Sequence, residues 1–275
     1  MRHNADEVHG DAQTLVGAAK RMAKLMKANT NRQTARPRSP SSARGQFVDD
    51  LRTSLLDAAV ALVLAGVAFA ILVARLHRGV NAAAIEMPQM VRNGGVWAYS
   101  ISQALGWSAL AWSWLTVMLG LALPILSRRS PSWRRSVERL HRSTSLSLLA
   151  LMLGHALALL WDRMGDTIVG LFVPYATSYV PGRFAQTLGI LSLYLALILG
   201  PTFYFRDRLG RATWRAVHRY LVPAVYILAV WHTLAYGSDI KGHNALWTVV
   251  WLMQAPISIL FIARLRSRSP LPTGR

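Results

Sequence analysis

The sequence predicts an all-α protein, a six-helix transmembrane bundle behind a disordered N-terminal tail, and three observations carry that prediction. Of 275 residues, 53% are apolar and only 16% charged, too little charge to solvate a globule of this size. Six apolar runs each approach the ~20 residues needed to cross a hydrocarbon core. Lysine and arginine outnumber aspartate and glutamate by 31 to 12, and the excess lies between those runs. That placement sets orientation in a bilayer and gives no reason to expect a nucleic-acid partner. With no cysteine, disulfides, iron–sulfur clusters, thiolate ligation and cysteine catalysis are excluded together.

Residues 1–50 are polar and basic, and are expected to form a disordered cytoplasmic tail whose stretch Arg36–Arg44 reads as a linker. Within it Leu15, Ala18, Met22, Leu25 and Met26 share a helical stripe, with Lys20, Lys24 and Lys27 off it. Either a short helix lying on an anionic leaflet or a solvated tail fits that pattern. No apolar h-region follows the first charges, so a cleavable signal peptide is not expected. The membrane domain is expected over 51–266 and a short cytoplasmic tail over 267–275. The six runs fall at about 53–75, 101–126, 139–161, 184–203, 214–236 and 245–264 and are read as helices, because lipid leaves the backbone no other local partner. Gly66, Gly120, Gly154, Gly189 and Gly200 lie inside the runs, where small residues permit close helix contact, and Pro223 is expected to bend the fifth.

Charge between the runs sets the orientation. Residues 127–142 hold six Arg against Glu138, 204–219 hold five Arg against Asp207, and the tail beyond Ala263 adds four Arg. Residues 1–52 carry ten basic against five acidic groups, while 162–183 and 237–243 are each neutral. This positive-inside pattern predicts an integral protein of a bacterial-type plasma membrane with both termini in the cytoplasm. Trp97, Tyr99, Trp161, Tyr175, Tyr179 and Tyr236 toward one side, with Trp133 and Trp214 toward the other, fit interfacial aromatic belts.

Four of the eight histidines stand apart from the rest. His3 and His9 lie in the tail and His77 and His243 at loop edges, whereas His141 and His155 sit on the third run and His218 and His232 on the fifth, each pair 14 residues apart. Fourteen residues close to within about 40° of whole turns and rise about 21 Å, so both imidazoles of a helix share one face at two depths. The third and fifth runs enter from the same side and are parallel, which predicts the pairs His141–His218 and His155–His232. Ionisable groups at membrane depth are costly and tend to be kept for a task. A structural zinc wants three or four ligands in one cluster, but two opposed imidazoles suit the axial positions of haem, leaving a six-coordinate iron fit for electron transfer. Between the levels Leu148 and Val225 make the gap apolar, and Tyr226 is turned aside as a packing residue. Gly154, next to His155, suits either a porphyrin edge or a helix contact. Haem propionates are anionic. Of the nearby Arg139, Arg142, Arg215 and Arg219, we expect Arg142 and Arg219 to contact them at the inner level; Arg163, Arg183 and Lys241 are the cations available at the outer one.

Arg139-Leu-His-Arg-Ser-Thr-Ser-Leu-Ser-Leu-Leu-Ala-Leu-Met-Leu-Gly-His155 and Trp214-Arg-Ala-Val-His-Arg-Tyr-Leu-Val-Pro-Ala-Val-Tyr-Ile-Leu-Ala-Val-Trp-His232 resemble the ferric-reductase-like transmembrane domain family. That family includes NADPH oxidases, ferric reductases and the membrane haem subunit of bacterial methionine-sulfoxide repair. The resemblance spans about 53–264 and implies two b-type haems, ligated at His141, His155, His218 and His232, that carry electrons from the cytoplasmic side outward. Oxidase members continue into a flavin and nicotinamide domain. This sequence ends 11 residues after Arg264 with no Gly-x-Gly-x-x-Gly or His-Pro-Phe-Thr/Ser run, so a separate cytoplasmic flavoprotein or a quinol is the expected donor. The Arg-rich loops fit an acidic partner or topology alone. The acceptor stays open among ferric iron, oxygen and an outer-side partner. Two rival functions are a quinone-linked cytochrome b subunit of a dehydrogenase and a haem-free, His-dependent proton or ion carrier.

Overall fold

In a computed structural model the described residues are 40–81, 84, 85, 88, 91, 96–126, 131–161, 167–177, 182–240 and 244–266. The chain divides into two compact units, Met1–Gly45 and Gln46–Arg275, and the second carries the features below. The expected surface helix at Leu15–Met26, and the loop residues Arg163, Tyr179, Lys241 and His243, lie outside the described residues.

Every regular element among the described residues is helical. The first long helix, α1 (Pro40–His77), starts well before the apolar run it contains. Pro40 occupies the first helical position, where its missing N–H costs nothing. Pro40–Arg44, read from sequence as linker, is therefore helix. Beyond its end Asn81 turns back to donate to the Leu72 carbonyl at 3.3 Å. Next come α2 (Trp97–Leu126) and α3 (Pro131–Ala158), the latter closed by a 3-10 turn at Leu159–Trp161. A short α4 (Ile168–Phe172), capped by Thr167, precedes α5 (Arg183–Thr202). After a small α6 (Arg206–Leu209), Gly210 takes a left-handed φ of 82°, and the chain enters α7 (Arg211–Tyr236) directly. A 3-10 turn at Ser238–Ile240 leads to α8 (Ala245–Leu252) and α9 (Gln254–Arg266).

Five segments are long and apolar enough to cross a membrane: Arg44–His77, Trp97–Leu126, Pro131–Trp161, Arg183–Thr202 and Ala245–Arg266. The sixth expected run is α7, whose 26 residues suffice in length. Arg211, Arg215, His218 and Arg219 crowd its first half, and it is not among those five segments. Outward-facing Leu55, Leu56, Leu62 and Val63 on α1, and Ile259 and Phe261 on α9, are exposed. In water such a surface would aggregate; in lipid it is the expected exterior.

Helix α2 lies along α3, and α5 along α7, with α9 resting on α2. The α2–α3 seam buries Ser102, Ser108, Ser113, Thr116, Thr144 and Ser147, small groups that let backbones approach. Thr116 donates to Thr144 across it at 3.0 Å. Two apolar clusters complete the core. Ala61, Ala109, Trp112, Leu148 and Leu151 join α1 to α2 and α3, and Leu110, Tyr226, Val230 and Val250 join α2 to α7 and α8.

The glycines divide by what they face. Gly154 meets Leu105 and Gly200 meets Leu149 as helix contacts, while a Cβ on Gly66 would face open space.

Candidate functional site

Helices α3 and α7 bring their histidines together as the 14-residue spacing predicts. His141 of α3 and His218 of α7 stand with ring centroids 6.2 Å apart. His155 and His232 repeat the arrangement, also at 6.2 Å. Two imidazole nitrogens each about 2.0–2.1 Å from one shared metal ion place their ring centroids about 6 Å apart, so each pair is spaced for a single ion between the rings. Among the described residues no cluster of three or more His, Cys, Asp or Glu could hold a metal ion. Any metal at these levels would need its remaining ligands from a cofactor.

Three of the four rings are oriented by a carbonyl. His155 Nδ1 donates to the Ser102 carbonyl at 2.7 Å, His141 Nδ1 to that of Thr116 at 3.0 Å, and His232 Nδ1 to that of Ala185 at 2.8 Å. A carbonyl can only accept, so in each ring the proton sits on Nδ1 and Nε2 keeps its lone pair. That is the second-shell arrangement metal-ligating histidines adopt.

Why the rings can reach those carbonyls is written four residues further on. Ser102 is followed by Gly106, Thr116 by Gly120 and Ala185 by Gly189. A Cβ on Gly106 would lie 3.0 Å from His155 Nδ1, one on Gly120 3.1 Å from His141 Cε1, and one on Gly189 2.8 Å from His232 Nδ1. In a helix the side chain at i+4 overhangs the carbonyl at i; glycine at that position opens the carbonyl to a flat ring from the neighbouring helix. Gly106 and Gly120 are themselves 14 residues apart on α2, matching the histidines they back. The sequence offers the spacing of these glycines but not the ring each one faces, so that Gly120 and Gly189 are expected from it only as helix contacts and Gly106 carries no separate signal. The fourth ring, His218, has no such support among the described residues. Trp214 lies beside it at 5.3 Å instead, in a line of aromatic rings that continues through Phe203 and Tyr204 to Phe47.

A cavity of about 400 Å³ contains the His155–His232 level. Leu110, Leu148, Ile190, Leu193 and Val225 give it apolar walls, and Gln103, Gln186, Thr233 and Asp239 supply polar lining. Ser192 donates to the Val225 carbonyl at 2.9 Å and holds α5 against α7 there. Apolar walls, two imidazoles whose Nδ1 atoms are already engaged and a polar border fit a porphyrin iron. Tyr226 reaches away to Gln254 Oε1 at 2.9 Å, in keeping with its reading as a packing residue.

The charged neighbours have partners or exposures of their own. Arg142 is engaged by Asp50 of α1, Nε to Oδ1 3.0 Å, and by Glu138 at 3.4 Å. Tyr204 also donates to Asp50 at 3.2 Å; its burial and this carboxylate push the phenol up to about 12. Arg219 is exposed on α7, and Arg183 donates to the Thr177 carbonyl at 3.0 Å. Sequence reasoning missed Asp50, and it missed Asp239, which is 4% exposed, with both carboxylate oxygens buried and no partner at full hydrogen-bond geometry among the described residues. Burial pushes the Asp239 carboxyl up, and Arg75 opposes that shift.

A family model described as ferric reductase like transmembrane component matches residues 105–237. Residues 105–237 are a ferric-reductase-like transmembrane domain. The matched segment holds all four paired histidines and the three glycines behind them, while α1, α8 and α9 flank it. Ferric-reductase-like transmembrane domains generally bind haem, and the match suggests a membrane electron-transfer role. Neither the curated proteins nor the solved structures compared with the chain gave a match.

Proposed function

We propose that this chain is a membrane cytochrome b in which His141 with His218, and His155 with His232, each hold one haem b, relaying electrons across the bilayer. The observation that carries the reading is the pair of equal 6.2 Å imidazole separations on one helix pair, with Nε2 free to ligate on three of the four rings. Iron held between two imidazoles supplies one-electron transfer without an open coordination site. The chain's own part is to fix ring orientation through the Ser102, Thr116 and Ala185 carbonyls and to keep the gap between levels dry with Leu148 and Val225, both buried.

In this reading α7 is the sixth crossing and both termini are cytoplasmic, as the arginine-rich segments 127–142 and 204–219 favour. Electrons enter at the His141–His218 level from a separate flavoprotein or a quinol and leave at the His155–His232 level to an outer-side acceptor. The exposed arginines of α6 and α7 suit an acidic donor. A haem-free proton carrier is disfavoured by the same carbonyls. A relay needs one nitrogen to receive and the other to release a proton, and three Nδ1 atoms are already committed.

Purified protein decides the matter. The expected result is a Soret band with a reducible b-type α-band and a pyridine haemochrome near two haems per chain; protein without a Soret band would sink the reading.

A further inference from the structure

Asp239 is a buried carboxylate beside the candidate site. It sits in the 3-10 turn after α7 and lines the cavity of the His155–His232 level; among the described residues neither oxygen has a partner at full hydrogen-bond geometry, and the Trp107 indole is a looser hydrogen-bond neighbour. Buried polar groups in folded proteins are nearly always fully satisfied, and a buried carboxylate held this loosely demands a reason. The turn itself is held through the backbone: Asn244, ahead of α8, donates to the Asp239 carbonyl at 2.6 Å, and Ile240 N–H bonds the Gly237 carbonyl at 3.1 Å. The side chain is thus left over, facing the cavity. Around it stand Arg75 from α1 and the Trp107 indole from α2. The titratable groups sharing its cavity are Tyr99 of α2, His155 of α3, and His232 and Tyr236 of α7.

We propose that Asp239 is the proton-binding partner of the redox centre at the His155–His232 level, taking up a proton from water when that centre gains an electron and releasing it when the electron leaves. This rests on the haem reading above. One electron, supplied by the reduced flavin or hydroquinone donor, adds one negative charge inside an apolar cavity. One O–H bond forming on the Asp239 carboxylate cancels it, and water supplies the proton. Nearby negative charge favours the neutral acid, and linkage makes the effect reciprocal: a proton that binds the reduced form better makes reduction easier. The sign follows: the potential of this level falls as pH rises across the interval between the carboxyl's pKa in the oxidised and in the reduced protein, and is flat outside it.

The test is a spectroscopic redox titration of the purified, haem-loaded chain at a series of pH values, for the natural protein, Asp239→Asn and Asp239→Glu. One of two potentials falling with pH in the natural protein and in Asp239→Glu, and flat in Asp239→Asn, supports the proposal. Haem retained with the same pH slope in the natural protein and Asp239→Asn overturns it while leaving the cytochrome reading intact; natural protein that binds no haem overturns both. Should Asp239→Asn not fold, the infrared difference spectrum of the natural protein replaces it. A carboxylic-acid C=O band that grows on reduction supports the proposal, and a reduced-minus-oxidised spectrum without one overturns it.

Discussion

A single atom decides each supporting position. Gly189 lies so close to His232 that an added Cβ would stand 2.8 Å from Nδ1 and 2.9 Å from Cε1, closer than real contacts allow. Because the obstacle is a ring pinned to a backbone carbonyl, it cannot swing aside as a flexible chain end would. Overpacking of this kind costs about 1–3 kcal/mol. Gly189→Ala is expected to lose the haem of the His155–His232 level while keeping the other, read as pyridine haemochrome per chain. Gly66→Ala, whose Cβ would meet nothing within 4 Å, is expected to leave haem content unchanged, and a loss there would detach the glycine argument from the histidines. The histidines were legible because their types and spacing carry chemistry by themselves. The glycines were not, because a small residue in an apolar helix signals close approach without saying to what. Asp239 was illegible for a different reason: a lone acid in a short loop looks solvated until the fold closes over it.

At the scale of the element, what matters is that ligands and supports occupy different helices. Helices α3 and α7 carry the imidazoles, and α2 and α5 carry the carbonyls and glycines, so the rings of His141, His155 and His232 are each clamped between neighbours. His155→Ala or His232→Ala should therefore remove one haem without unfolding the bundle, leaving the His141–His218 spectrum in place; loss of neither haem would contradict the pairing. Five of the six expected runs reappear as segments able to cross a membrane, since an apolar stretch of this length has few alternatives. Helix ends were less legible. Helix α1 runs back to Pro40, because helical hydrogen bonding does not stop where hydrophobicity does, and the last run is split at Met253 into α8 and α9. The break leaves the Met253 carbonyl available to the Trp114 indole at 2.7 Å, a long-range partner that no local pattern announces.

Across the molecule, α1 is tied to the histidine helices by charge as well as by packing. Asp50, buried on α1, receives Arg142 and Tyr204, and Arg142 is the chain neighbour of His141. Removing one partner of a buried pair costs about 3–5 kcal/mol, so Asp50→Ala is expected to lower the thermal midpoint of the purified protein markedly. Asp50→Ala combined with Arg142→Met should recover part of that loss, and an additive double variant would show that the pair is not coupled. The Tyr204 phenol, held up to about 12, adds stability that is complete below the ordinary tyrosine pKa of about 10 and is lost as pH climbs through the raised value. Tyr204→Phe should flatten that part of an alkaline stability profile. Orientation can be read directly because the chain has no cysteine. A cysteine replacing exposed Arg208 should react with an impermeant thiol reagent only from the cytoplasmic face, and one replacing exposed Tyr175 only from the opposite face; the reverse labelling would invert the proposed direction of electron flow.

Among the described residues His218 is the one ring of the four that no carbonyl grips. An imidazole that donates its second N–H is the stronger electron donor to a metal. Two such ligands reinforce one another at the His155–His232 level, whereas His141 is reinforced alone at the other. The two irons would then be inequivalent by construction: oxidised protein should give two distinct low-spin paramagnetic signatures, and a stepwise reduction should resolve two waves. A voltage difference would be built into the chain by the placement of one backbone oxygen, with no need for a second kind of pigment.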